Sequence, residues 1–122
     1  MIRLSTWIVL AVTLLATKTE GQTRPEHQQL AREVFKQLIE INTTDATGNT
    51  TEAAEAMAAR FRAAGFPAAD IQVIGPHPRK GNLVVRYRAR ASSAKPVLLM
   101  AHLDVVEAKG EDWTIDRFKF TE

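Results

Sequence analysis

Cysteine is absent from the 122 residues. Disulfides and thiolate metal sites are therefore excluded, while the compartment stays open. Charge of one sign is also lacking. Sixteen Lys and Arg stand against 14 Asp and Glu, a net charge of +2 that generates only a weak field. No dense basic run with interleaved aromatics occurs, which argues against a nucleic-acid partner. Histidine is scarce, with only His27, His77 and His102. Long apolar runs are missing too. The one candidate, residues 7–16, is half the roughly 20 residues that a membrane-spanning helix needs.

That short run has its own meaning. Arg3 precedes it and a polar stretch, residues 17–23, follows it. A positive flank, a brief apolar core and small residues at Thr19 and Gly21 are the layout of a secretory signal peptide. The expected organisation is a signal peptide over 1–21 and one domain over 22–122. The expected location is periplasmic or extracellular, with no stable membrane association after cleavage. An uncleaved anchor is the alternative. The rest of the chain has an ordinary globular balance, 45% hydrophobic and 25% charged.

Apolar spacing predicts a first helix over 23–41, with Leu30, Val34, Leu38 and Ile41 in one stripe and Ala31, Phe35 and Ile39 beside it. Thr23 and Glu26 fit a capping box, and Pro25 falls in the first turn where its missing N–H costs little. Residues 42–50 are turn-forming. A second helix should start at Asn49 with Glu52 and run to about Ala64, burying Ala54, Met57, Phe61 and Ala64. Gly65 and Pro67 should stop it. Its many alanines suit close packing on a sheet. Ile71 and Val73 mark one strand and residues 82–88 a second, joined by the loop 75–81. Residues 97–100 form a continuous apolar run, expected as a strand buried on both faces inside the sheet.

That run leads into His102-Leu103-Asp104. Residues two apart in an extended chain point the same way, so His102 and Asp104 should emerge together at the end of a strand. Ligands collect at such ends in α/β sheets. A neutral imidazole is a good zinc ligand, and a neighbouring carboxylate can orient it. By itself the His-x-Asp spacing is weak. His27, in the first helical turn, reads as solvated, and His77 sits in a loop between Pro76 and Pro78. Asp112 and Asp116 could approach His102 locally, but a two-metal site needs more, and Glu111-Asp112 is more simply read as a solvated loop tip. Trp113, Phe118 and Phe120 could contact substrate, and the simpler expectation is packing over the sheet edge. Asn42-Thr43-Thr44 and Asn49-Thr50-Thr51 match the glycosylation pattern.

The wider context is more specific. His102-Leu103-Asp104-Val105-Val106, then Asp112-Trp113 and Phe118, resemble the first signature of the aminoacylase/carboxypeptidase family of zinc-dependent hydrolases. That family includes acetylornithine deacetylase, succinyl-diaminopimelate desuccinylase and glutamate-releasing carboxypeptidases. Ile41-Asn42-Thr43-Thr44, Ala63-Ala64-Gly65-Phe66 and Lys80-Gly81-Asn82-Leu83 agree in order and spacing. The resemblance runs from about Pro25 to Glu122. It implies an α/β fold: the N-terminal portion of a two-zinc peptidase catalytic domain, two helices and then strands of a mixed sheet. It implies hydrolysis of a peptide or N-acyl amino acid amide bond, with two zinc ions as cofactors. It assigns His102 as a metal ligand and Asp104 as the aspartate that orients the site. Glu107 and Arg117 stand where the family usually has proline. The bridging aspartate, the glutamate base, a further acidic ligand and a second histidine lie downstream in the family. The expectation is therefore an incomplete site, inactive in this chain alone. The alternative readings are an exported non-catalytic binding or structural domain, or a truncated gene product.

Overall fold

The computed structural model describes residues 24–91 and 93–122. The expected signal peptide and the Thr23 cap lie outside the described residues. Two helices are followed by a two-stranded antiparallel sheet, a small α/β arrangement.

Helix α1, Pro25–Ile39, begins with Pro in its first turn and Arg24 at the N-cap, without a side-chain cap. It stops two residues short of the expected Ile41. Its apolar stripe is only half covered: none of its residues is buried, and Leu30 and Phe35 stand exposed. Helix α2, Thr50–Ala63, is capped as its sequence predicts, with the Asn49 side chain accepting the Glu52 amide hydrogen at 3.3 Å. The N–H of Thr50 is satisfied from outside, by the Arg79 carbonyl at 3.0 Å. At the other end Phe66 N–H reaches the Phe61 carbonyl and Gly65 N–H reaches Arg62, closing a Schellman motif. Gly65 has φ +85, a conformation that a side chain would strain. The rings of Phe61 and Phe66 then meet edge to face at 5.0 Å.

Strands β1, Ile71–Ile74, and β2, Asn82–Val85, pair with Ile71 opposite Val85 and Ile74 opposite Asn82. Helix α2 lies on both strands. Ala53, Ala54 and Ala58 are fully buried there, and Ile71 is the buried strand residue. Small side chains let helix and sheet approach closely, as the alanine content predicts. The buried face is not the expected stripe, however. Ala53 and Ala58 join Ala54, Met57 and Phe61 are half-buried, and Ala64 is exposed at the helix end. Strand β2 ends at Val85 instead of Arg88. One further link, Arg86 N–H to the Asp70 carbonyl, follows the ladder, and Arg88 then turns its guanidinium to the buried Asp70 carboxylate at 2.8 Å.

The expected third strand does not form. Residues 97–100 belong to no strand, and Val97, Leu98, Leu99 and Met100 are 79–89% exposed. A strand apolar on both sides needs ladder partners at its edges and cover on both faces. The sheet of the described residues holds β1 and β2 alone, and neither pairs with 97–100. The expectation of a mixed sheet with this run inside it is thus corrected to a single antiparallel hairpin. Phe120 is corrected as well. It meets Phe35 of α1 edge to face at 6.0 Å, so the C-terminal segment packs on a helix and not on the sheet edge.

Candidate metal-ligand segment

The connection between α1 and α2 is the seat of the site. Asn42 Oδ1 accepts both the backbone N–H and the hydroxyl of Thr44, at 3.0 and 2.8 Å. This closes a side-chain turn that Asn favours. Thr43 and Thr44 are buried as a result. Gly48 N–H bonds the Thr44 carbonyl at 3.0 Å, and a Cβ on Gly48 would sit 2.3 Å from the Thr44 nitrogen. Only glycine fits there. The same engagement fixes both Asn residues of the glycosylation patterns: Asn42 in this turn, where its Nδ2 also donates to Thr47, and Asn49 in the α2 cap.

Onto this turn comes the segment carrying His102. Thr44 and Val105 form a parallel bridge, with Val105 N–H donating to the Thr43 carbonyl at 3.4 Å. His102 and Asp104 are therefore held next to the helix connection, three and one residues before the bridge. The His102 Nδ1 lies 2.8 Å from the Asp104 backbone carbonyl. A carbonyl only accepts, so Nδ1 carries the proton in this contact and Nε2 is left with its lone pair. The Asp104 carboxylate stands further off, with Oδ1 at 3.6 Å from Nδ1. The backbone of Asp104 makes the orienting hydrogen bond, and its side chain contributes a nearby negative charge. Both side chains are mostly exposed.

Two hollows meet at this pair. One, of about 430 Å³, is walled by apolar side chains including Phe35, Leu38, Trp113 and Phe118. The other, of about 340 Å³, has a mixed lining that includes Asp45, Thr50, Pro76, Lys80 and Asn82. His102, Leu103 and Asp104 line both. In this second hollow Lys80 Nζ donates to Asp45 Oδ1 at 2.5 Å and to the Asp45 carbonyl at 3.0 Å. The Lys80 ammonium, through this hydrogen bond and its charge, holds the Asp45 carboxyl below the usual carboxylate range.

His77 lines a different hollow, where its Nδ1 accepts the Arg79 N–H at 3.2 Å. His27 is exposed in the first turn of α1. Asp112 lies in a short 3-10 turn, Gly110–Asp112, and Asp116 accepts the Phe118 N–H at 2.9 Å. Among the described residues no three His, Cys, Asp or Glu side chains are grouped so as to hold a metal ion. The donor chemistry at His102 fits one zinc ligand with an oriented ring, and not a complete zinc site. Asp45, Lys80 and Glu107 were not singled out by spacing as site neighbours. Their partners lie 35 to 61 residues away in the chain, beyond the reach of any local pattern.

No protein-family model, no curated protein and no solved structure matches this chain.

Proposed function

We propose that this chain carries the first metal-ligand segment of an exported two-zinc amidohydrolase or metallopeptidase acting on a peptide or N-acyl amino acid. The carrying observation is the His102 ring, whose Nδ1 is turned to the Asp104 carbonyl so that Nε2 is free to ligate. Zinc, when bound, would polarise an amide carbonyl and activate water. His102 would supply one nitrogen ligand, and Asp104 would hold the ring and add negative charge beside it. A catalytic zinc takes about three protein ligands, so other polypeptide must supply the remaining ligands and the general base. Export rests on the signal-peptide layout of residues 1–21.

Zinc titration against a competing chelator, paired with an amide-hydrolysis assay, tests this reading. The chain should bind zinc weakly, His102→Ala should lose that binding, and neither should hydrolyse N-acyl amino acids. Zinc affinity unchanged in His102→Ala would overturn the assignment. Turnover by the chain alone would overturn the need for further ligands.

A further inference from the structure

We propose that Glu107 is a positioning residue, whose carboxylate clamps the segment carrying His102 and Asp104 onto the turn between the two helices. This role builds on the metal-ligand reading of His102 and concerns what keeps that histidine in place.

The segment needs such a clamp. Residues 97–100, just before His102, pair with neither strand. Among the described residues, the chain after that run next attaches at Val105, whose N–H donates to the Thr43 carbonyl at 3.4 Å, near the long limit for such a contact. Glu107 lies two residues on. In an extended chain the two residues face the same side. Glu107 Oε1 accepts the Ala46 N–H at 3.0 Å, across 61 residues of sequence.

The turn offers that donor and few others. Thr44 N–H is spent on Asn42 Oδ1, Gly48 N–H on the Thr44 carbonyl, and Asn49 N–H on the Asn42 carbonyl. Ala46 N–H points instead to Glu107. A carboxylate is a stronger acceptor for it than a neutral oxygen. The turn is a firm anchor, because Lys80 grips the neighbouring Asp45 by both its carbonyl and its carboxylate. Backbone bridge and carboxylate contact together fix where residues 102–107 lie against 43–46.

The test is amide NMR of the 15N-labelled protein with Glu107→Ala and Glu107→Gln. In the native protein the amides of Ala46 and Val105 should both be protected from exchange. Glu107→Gln keeps an acceptor, so both protections should survive, with the Ala46 resonance moved by the exchange of a carboxylate for a neutral amide. Glu107→Ala should lose both protections. Zinc affinity at His102 should fall by about 2- to 10-fold in Glu107→Ala, the worth of roughly one hydrogen bond, and recover in Glu107→Gln. An Ala46 amide and a Val105 exchange rate unchanged in Glu107→Ala would overturn the proposal. The amide readout does not involve zinc. Native protein that fails to bind zinc at His102 while Glu107→Ala still frees Val105 would defeat the metal reading and leave the clamp standing.

Discussion

Residues 24–88 and residues 89–122 differ in what their own chain can satisfy. The first part closes its backbone locally, through two helices and a hairpin with a short loop, and buries three alanines and an isoleucine between helix and sheet. The second part contains the most apolar run after residue 24, yet leaves it bare. Helix hydrogen bonds need only residues four apart, and a hairpin needs only its own turn. A strand buried on both faces depends on partners distant in sequence or outside the chain. Apolarity alone does not produce burial. The His102 segment consequently takes its position from the helix connection, through Thr44, Val105 and Glu107, and not from a sheet.

The largest effect that can break this contrast should come from the turn shared by both parts. In Gly48→Ala the new Cβ meets backbone atoms of Thr43 and Thr44 within 2.5 Å, and backbone cannot rotate away. We expect a loss of about 3 kcal/mol, the upper end of ordinary overpacking, measured by urea unfolding. An unchanged midpoint would mean the turn is not close-packed. Next in size is Asn49→Ala, which removes the α2 cap and should cost about 1 kcal/mol in the same experiment.

The sharpest contrast uses Leu99. In a buried strand Leu→Ala would cost about 2–5 kcal/mol. Leu99 is 89% exposed, so Leu99→Ala should change stability by less than about 0.5 kcal/mol. A loss of several kcal/mol would restore the buried strand.

The smallest effect is electrostatic. The Asp45 carboxyl is held below its ordinary range by Lys80. Its folded value is thus lower than its unfolded value. The stabilisation it contributes is present above the unfolded value and is lost as pH falls through the folded one. Lys80→Met should return the Asp45 titration, followed by carboxyl NMR, toward the usual range. The pair is exposed on the Asp45 side, so its effect on the melting midpoint at neutral pH should be slight.

These contrasts mark how far the sequence could be read. Asn49, Glu52 and Gly65 announce the ends of α2 because capping chemistry is local. The alternation of Ile71 and Val73, and of Leu83 and Val85, announces the hairpin for the same reason. Residues 97–100 misled because a continuous apolar run states a need for cover without stating what meets it. His102 and Asp104 stand out through spacing, and the structure does bring them together. The orienting atom is a backbone carbonyl, however, which no residue type could signal. Glu107 was legible only as a residue where the resembling family has proline, since its partner Ala46 offers nothing but an amide hydrogen.

The most direct measurement is the tautomer and zinc response of the three imidazoles, read by long-range proton–nitrogen correlation at neutral pH. The structure predicts that His102 carries its proton on Nδ1 and that added zinc shifts its Nε2 before either nitrogen of His27 or His77. A His102 protonated on Nε2, or zinc perturbing His27 and His77 while leaving His102 unchanged, would contradict the account.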